Sequence, residues 1–191
     1  MTPTERDGLR LFGVEDGSFE AFPADEKSYC FLCGVEMEAT LIVDIRIAKI
    51  QVDGLDATEK LLTMLGSFGG DAIILGGITF AGFNIVDPVK VHRETGKTVI
   101  VYSGEEPNNE SVLNALKAHF QDWKKRWTII QSAGPIHTTA PFPGEPPVYF
   151  EVVGNSKEWA EEVLRASAMV SRIPEPVRVA GIVARGLSPA C

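Results

Sequence analysis

The sequence predicts a mixed α/β fold, with one sheet whose two faces are both covered by helices. Three strand patterns come first along the chain, and helical and strand patterns then alternate. This order is typical of a sheet with an antiparallel start and parallel crossovers afterwards. The segment Ala72–Leu75 is a short strand without polar residues, which is expected at the centre of a sheet covered on both sides.

The first three predicted strands form the antiparallel part of the sheet. They are Leu9–Val14, residues 28–37 and residues 40–52. The short link between the second and third strands makes them an antiparallel pair. The third strand alternates between apolar and polar residues from Leu41 to Ala48, which predicts one apolar face and one polar face.

The later elements alternate between helix and strand. In chain order they are a helix from Asp56 to Leu65, the strand Ala72–Leu75, a helix over 85–94, a strand over 98–102, a helix over 112–120, a strand over 148–153, a helix over 155–169 and a last helix from Val177. Glu59, three residues after Asp56, predicts a capping box at the first helix. No repeat or linker divides the chain, so we expect a single domain over residues 1–191, with residues 1–7 flexible.

The composition is that of a globular protein, with 45% hydrophobic and 23% charged residues. The formal net charge of −8 repels nucleic acid at long range, although a local basic strip and a bound cation can offset it. No apolar run reaches the length of a membrane span and the N-terminus has no apolar signal core, so we expect a soluble cytoplasmic protein without a membrane partner. Cys30 and Cys33 fall on opposite faces of a strand, which favours buried thiols over a zinc or redox pair.

Acidic side chains follow the first and third predicted strands. Glu15 and Asp16 end the first strand, and Asp53 and Asp56 follow the third. Carboxylate oxygens at strand ends are ligands for hard cations such as Mg²⁺, so these four residues are candidate metal ligands and catalytic groups. Other interpretations stay open, because the first acidic pair can begin a turn, Asp53 can lie in a turn and Asp56 can cap a helix.

The central strand departs from this pattern. Gly76 and Gly77 follow it, where a third acid is expected. Gly77 and Gly82 have the spacing of a phosphate-binding P-loop, but the Lys and Ser or Thr that should follow are missing. Close packing of the backbone against a cleft explains these glycines better.

One basic stretch contains Lys124, Lys125 and Arg126 between two tryptophans. Aromatic rings stack on bases and cations hold phosphates, so these residues are candidate nucleic-acid contacts. Tryptophans four residues apart on a helix are also typical of packing, with the charges on the solvated face. Asn84 is a further candidate for ligand binding, or else the cap of the helix that follows it.

Several motifs resemble those of a mainly archaeal family known as domain of unknown function 99. The most specific match is the segment Gly77–Asp87, with the sequence GITFAGFNIVD. The other matches are Gly13–Gly17, Val52–Glu59, Thr95–Gly96, Ala115–Leu116 and Ile173–Ala180. Together they extend over nearly the whole chain.

The same chain is more distantly similar to endonuclease V, a magnesium-dependent nuclease of RNase H-like fold. Gly13–Glu15 resembles the Gly-Val-Asp of its first strand, Asp56 falls near its second acid, and Gly76–Gly77 falls at its Asp-Gly. Pro174–Ala180 resembles the Pro-Glu-Pro-Thr-Arg-x-Ala near its C-terminus. The resemblance implies an RNase H-like sheet with a central acidic cleft, a Mg²⁺ cofactor, a nucleic-acid substrate, and a role for Arg178 in steadying the adjacent helix or a phosphate.

Two hypotheses from different classes follow. In the first, the chain is an endonuclease V-like enzyme that hydrolyses nucleic-acid phosphodiesters with Mg²⁺ held by Glu15, Asp16, Asp53 and Asp56. In the second, it is a non-catalytic nucleic-acid- or ligand-binding protein on the same fold, because the acidic site is incomplete at Gly76. A small-molecule phosphohydrolase is a third alternative. The aromatic wedge that endonuclease V carries in its third strand is missing, so the resemblance does not extend to the recognition of damaged bases.

Overall fold

The computed structural model describes residues 8–19 and 28–188, so the predicted flexible segment 1–7 lies outside the described residues. The strands are β1 Arg10–Asp16, β2 Tyr29–Glu38, β3 Leu41–Gln51, β4 Ala72–Leu75, β5 Thr79–Phe80, β6 Asn84–Ile85, β7 Thr98–Ser103, β8 His137–Thr139 and β9 Val148–Val153. The helices are α1 Ala57–Leu65, α2 Pro88–Thr95, α3 Asn109–His119, α4 Trp123–Ser132, α5 Lys157–Ser167 and α6 Glu175–Leu187.

Seven strands form one mixed sheet in the order β3-β2-β1-β4-β7-β9-β8. Strand β2 pairs antiparallel with both β1 and β3, and β4 and β7 run parallel to β1. The last two, β9 and β8, extend the sheet in antiparallel pairs. The predicted mixed α/β sheet is therefore confirmed, with its parallel strands at the centre.

Helices cover both faces of the sheet, as predicted. On one face, which we call the α1 face, α1 and α2 enclose a core that includes Phe12 and Ile73. On the other, the α6 face, α5 and α6 enclose a core that includes Leu11 and Ile74. Consecutive residues of a strand point to opposite faces, so β1 and β4 each contribute to both cores. Among the described residues, no helix is both long and apolar enough to span a membrane.

The segment between β4 and α2 differs from its prediction. The helix expected from residue 85 begins at Pro88, and a two-stranded hairpin of β5 and β6 precedes it. The hairpin turns at Ala81 and Gly82, which both have a positive φ, of 45° and 82°. Asp87 caps α2 by accepting a hydrogen bond of 2.9 Å from the backbone amide of Lys90, so Asn84 is not the cap of that helix.

The edge strand β3 also departs from its predicted alternation. The register with β2 shifts between Glu36 and Met37, so β3 carries a β-bulge with one extra residue at Val43. The bulge puts Ile42 on the same face as Ile45. Both side chains stay exposed, at 51% and 40%, because α6 packs mainly on β1 and β2.

Candidate active site

The close approach of α6 to β1 positions the first pair of predicted acids. A Cβ atom at Gly13 would lie 2.2 Å from the backbone carbon of Pro176 and 2.4 Å from the nitrogen of Val177, so only glycine allows this crossing. The helix then continues along β1 toward its end. At Gly181, an added Cβ would lie 3.0 Å from Cγ of Glu15 and 2.9 Å from Nη2 of Arg185. The helix therefore brings the Arg185 guanidinium to the Glu15 side chain.

Glu15 and Asp16 form a half-buried carboxyl pair at the end of β1. Glu15 Oε1 accepts a hydrogen bond of 3.1 Å from the backbone amide of Asp16. Burial, together with the neighbouring Asp16 charge, raises the pKa of Glu15 to about 8, although the nearby Arg185 acts in the opposite direction. Burial also raises the pKa of Asp16. Near neutral pH the Glu15 carboxyl therefore holds its proton.

The Glu15 carboxylate lies at the end of the neighbouring strand β4. A Cβ atom at Gly76 would lie only 2.2 Å from Glu15 Oε2, and the Gly76 amide donates to the Val14 carbonyl at 2.9 Å. The side chain of Glu15 thus occupies the space in which the sequence led us to expect a third acid.

Asp53 is used to hold the β5–β6 hairpin. Its backbone has a φ of 56°, and its Oδ1 accepts a hydrogen bond of 2.8 Å from the Phe83 amide. One residue, Ala81, links it to the acidic pair: the Ala81 amide donates to Asp16 Oδ2 at 2.5 Å, and the Ala81 carbonyl accepts from the Asp53 amide at 2.9 Å. Asp16 and Asp53 therefore both bind the turn of the hairpin. Asp16 binds the Ala81 amide, and Asp53 binds the Ala81 carbonyl and the Phe83 amide.

Asp56 and Asn84 form a second buried network at the start of α1. Asp56 makes no side-chain cap bond, so the predicted capping box is wrong. Its Oδ1 accepts hydrogen bonds from the Gln51 amide at 3.2 Å and from Asn84 Nδ2 at 2.6 Å. The first amide of the helix, that of Ala57, instead donates to Asn84 Oδ1 at 3.0 Å. Asn84 is fully buried, which removes it from contact with a ligand in this structure.

The four predicted acids consequently do not converge on one point. Within residues 8–19 and 28–188, no group of three or more His, Cys, Asp or Glu side chains is arranged to hold a metal ion. Glu15 and Asp16 are the two that come together, while Asp53 and Asp56 are engaged by backbone amides. The predicted four-carboxylate cluster is thus reduced to a pair.

Arg126 holds the same region together from α4. It is 5% exposed, and its guanidinium donates to the carbonyls of Asp53, Gly54 and Phe83 at 3.0, 3.0 and 2.6 Å. It also pairs with Asp122 and lies 4.3 Å from the centroid of a phenylalanine ring. This burial excludes the predicted phosphate contact for Arg126 in this structure.

The remaining predicted cations differ in exposure. Lys124 and Lys125 stay exposed on α4, and Lys124 Nζ lies 5.6 Å from the ring centroid of Trp123. Arg178 makes a two-bond ion pair with Glu175, at 2.8 and 2.6 Å, within the first turns of α6. The pair lies within α6 itself, so the predicted role of Arg178 in steadying an adjacent helix or a phosphate stays a prediction.

The cysteines behave as the sequence predicts. Cys30 belongs to the core on the α1 face and Cys33 to a cluster under α6. Burial raises the pKa of each thiol to about 11, so neither is a thiolate near neutral pH.

A cavity of about 290 Å³ lies beyond the end of β4, on the α1 face. It starts at Gly77 and is enclosed by the hairpin, α3, α4 and the ends of β7 and β9. Its walls are mostly apolar, with Ile78, Phe83, Val112 and Ile130 among them. Glu151, on β9, is the acidic residue of this lining, and sequence reasoning missed it because it lies in an ordinary strand pattern.

Arg185 was also missed by the sequence. It lies in a helix whose pattern shows only packing, and its proximity to Glu15 depends on the approach of α6 to β1. Small residues in α6, among them Ala180, Gly181 and Ala184, are the local signal that such a close approach exists.

Comparison with known proteins identifies relatives of this chain along most of its length. A UPF0215 protein of Pyrococcus furiosus is 40% identical over 181 residues, which cover 92% of this chain and 90% of that protein. The crystal structure of a protein of unknown function from Archaeoglobus fulgidus superposes with a TM-score of 0.82 and 30% identity, covering 95% of this chain and 99% of that one.

Endonuclease V shares the fold at much lower identity. The enzyme from Ciona intestinalis, solved with a DNA containing an inosine, matches with a TM-score of 0.59 and 14% identity, over 93% of this chain and 85% of that one. The resemblance to endonuclease V is therefore confirmed as a likeness of fold. The sequence model of a family described as Endonuclease dU matches residues 7–188. This chain belongs to the Endonuclease dU family.

Proposed function

We propose that this chain is a metal-dependent endonuclease that hydrolyses phosphodiester bonds in nucleic acid. The observation that carries the proposal is the half-buried pair of neighbouring carboxyls, Glu15 and Asp16, at the carboxyl end of β1, beside the end of β4. In open α/β sheets, the crevice outside the carboxyl ends of the strands is where ligands bind. The family description as an endonuclease supports the same chemistry.

The carboxyl pair is a donor set that suits Mg²⁺. This ion commonly takes one or two protein carboxylates and keeps several waters, so a third acid is not required. A nearby divalent charge favours ionised carboxylates, which offsets the burial that raises the pKa values of Glu15 and Asp16. When bound, Mg²⁺ would polarise the phosphate and lower the pKa of a water.

The surrounding residues have supporting roles in this proposal. Arg185 offsets part of the negative charge when both carboxyls ionise. Asp53 and Arg126 fix the hairpin that donates to Asp16, so they act by positioning. Because the net charge is −8, binding of nucleic acid needs local cations, and the exposed Lys124 and Lys125 are the candidates to contact phosphates.

Cleavage of labelled oligonucleotides tests the proposal. Single strands and duplexes with a central deoxyuridine, a central inosine or neither are incubated with Mg²⁺ or Mn²⁺. We expect metal-dependent cleavage that is lost in Glu15→Gln and Asp16→Asn and retained in Glu158→Gln, which changes an exposed acid on α5. Absence of saturable Mg²⁺ or Mn²⁺ binding by calorimetry would rule out this function.

A non-catalytic binding protein on the same fold is the second candidate. The observation that favours it is the reduction of the acidic site to two carboxyls, with Gly76 in the place of an acid. The same oligonucleotides separate the two functions. Binding of a strand without cleavage, in the presence of saturating Mg²⁺ and Mn²⁺, would support the second.

A further inference from the structure

The hydroxyl of Tyr102 is a buried polar group without a partner. Tyr102 lies near the carboxyl end of β7, packs in the core on the α6 face and is 5% exposed. Among the residues that the structure describes, its hydroxyl is the one buried side-chain nitrogen or oxygen that makes no hydrogen bond. An unpaired buried hydroxyl lowers the stability of a fold, so a bound ligand is a physical reason for its presence.

Tyr102 lies in one row with Glu15 across the sheet. Strands β1, β4 and β7 are paired in register up to Val14, Leu75 and Val101. The residues that come next, Glu15, Gly76 and Tyr102, therefore share the following row. Neighbouring strands are about 4.8 Å apart, so the backbones of Glu15 and Tyr102 lie roughly 10 Å apart. Both side chains are on the α6 face, and Gly76 places no side chain of its own between them.

Arg172, in the link between α5 and α6, brings a cation close to this hydroxyl. Its Nη1 donates to the carbonyls of Gly104 and Pro147, at 2.7 and 3.0 Å. These two bonds fix the position of the guanidinium. Within residues 8–19 and 28–188, its Nη2 has no hydrogen-bond partner and the guanidinium forms no ion pair.

The space over Gly104 faces both groups. A Cβ atom added at Gly104 would lie 3.5 Å from the Tyr102 hydroxyl oxygen and 3.7 Å from Arg172 Nη2. An atom at that point is therefore within contact distance of a neutral donor and of a cation. The point lies just beyond the end of β7, on the edge of the sheet where β1 and β4 also end. In open α/β sheets this edge is where ligands bind.

We propose that Tyr102 and Arg172 form a binding site for a phosphate group, which lies over Gly104 and next to the carboxyl pair of Glu15 and Asp16. The hydroxyl donates to one phosphate oxygen, and Nη2 of the guanidinium donates to another. The assignment of this phosphate to a nucleic-acid strand rests on the proposed function, whereas the site itself does not.

The charges around the hydroxyl are consistent with an anion. Burial raises the pKa of Tyr102, and the charges of Glu145 and Glu15 add to this effect while Arg172 opposes it. The hydroxyl therefore keeps its proton near neutral pH and is available as a donor. Glu145 Oε2 accepts a hydrogen bond of 2.9 Å from the Arg172 backbone amide, which offsets part of its charge. The guanidinium charge is left for the ligand.

Two variants test the site without changing a charge. Gly104→Ala fills the space, and its contacts at 3.5 and 3.7 Å are ordinary van der Waals distances, so the fold should be retained. Tyr102→Phe removes only the unpartnered hydroxyl, so its midpoint of unfolding in urea should equal or exceed that of the wild type. Gly69→Ala is the control for the first variant, because nothing lies within 4 Å of its added carbon. Tyr149→Phe, on the opposite face of β9, is the control for the second.

Calorimetric titration with inorganic phosphate, without metal and near neutral pH, measures binding at the site. We expect saturable binding by the wild type and both controls, and none by Gly104→Ala. Tyr102→Phe should bind at least about fivefold more weakly, because a hydrogen bond to a charged group is lost. Absence of saturable binding by the wild type would mean that the hydroxyl binds only water, and would overturn the inference. An affinity that either Tyr102→Phe or Gly104→Ala leaves unchanged would overturn it as well.

Oligonucleotides identify the source of the phosphate. Single strands are prepared with one uncharged methylphosphonate linkage at successive positions. If the phosphate belongs to the bound strand, one position should weaken binding to the wild type and have no effect on binding to Gly104→Ala. If all positions affect both proteins equally while inorganic phosphate binds, the inference holds with a free or terminal phosphate as the ligand. Neither titration measures cleavage, so a failure of the proposed nuclease function leaves this site in place.

Discussion

The carboxylate of Glu15 stands where a side chain at position 76 would have to be. A Cβ atom at Gly76 would come within 2.2 Å of Glu15 Oε2 and 2.8 Å of its Cδ. The glutamate at the end of β1 and the glycine at the end of β4 are therefore complementary. An acid added at 76 without shortening residue 15 would meet a carboxyl already in its place.

Substitution of Gly76 tests this complementarity. Gly76→Ala should destabilise the protein by about 1–3 kcal/mol, because the added methyl group overlaps Glu15 and must displace it. The free energy of unfolding in urea measures the effect. Gly69→Ala is the matched control, since nothing lies within 4 Å of its added carbon. Combining Gly76→Ala with Glu15→Asp should recover stability, and equal losses in the single and double variants would contradict the relationship.

The pH dependence of stability measures whether Glu15 holds a proton in the folded protein. The folded protein holds the Glu15 proton up to a pKa of about 8, whereas the unfolded chain releases it near 4.5. Unfolding therefore releases a proton between these values, so the stabilising contribution is present below pH 4.5 and is lost as pH rises toward 8.

Glu15→Gln removes this contribution to the pH dependence. The free energy of unfolding of the variant, taken relative to that of the wild type, should rise by on the order of a few kcal/mol from about pH 5 to about pH 8. Urea unfolding at each pH measures the difference. Glu158→Gln should follow the wild type. Parallel curves for the wild type and Glu15→Gln would show that Glu15 is ionised in the folded protein.

Arg126 is expected to be structural. Arg126→Leu leaves the carbonyls of Asp53, Gly54 and Phe83 without their donors, and we expect a loss of about 3–5 kcal/mol in the free energy of unfolding. The neighbouring change Lys125→Leu alters an exposed position and should cost less than about 0.5 kcal/mol. If the Arg126 variant kept full stability and lost only its affinity for nucleic acid, the result would contradict a structural role. It would support the phosphate contact predicted from sequence.

The two exposed lysines of α4 provide a test of nucleic-acid binding. We expect the double variant Lys124→Ala/Lys125→Ala to bind a single strand more weakly, with a salt dependence whose slope is reduced by about 0.7 for each phosphate that the protein no longer neutralises. Fluorescence anisotropy at several salt concentrations measures the slope. Lys157→Ala, on α5, is the control. An unchanged slope would place the nucleic acid elsewhere on the protein.

Strands β1 to β4, β7 and β9 and the acidic pair could be predicted because their signals are local. The apolar run of β4 and the two acids that end β1 are visible in a few consecutive residues. Capping is different, since a polar residue before a helix looks the same whether or not it caps that helix. Asp56 precedes α1, yet the amide of Ala57 is bound by Asn84, which is distant in sequence.

The parts that sequence missed depend on contacts between distant segments. The β5–β6 hairpin has strands of two residues each and turns at Ala81, a residue type that rarely has a positive φ. Arg126 reads as surface charge beside two lysines, but its burial depends on carbonyls more than forty residues away. The chemical roles of Arg185 and Glu151 depend on the residues that the fold places beside them, and those neighbours are distant in sequence.

The bulge in β3 affects whether copies of this protein associate through their edge strands in concentrated solution. An unpaired edge of eleven residues, rich in isoleucine, could template the growth of fibrils by strand addition. The extra residue at Val43 breaks the regular spacing of its free amides and carbonyls, and Lys49 adds a charge at the same margin. The bulge therefore makes the addition of another strand to β3, and hence aggregation through this edge, less favourable.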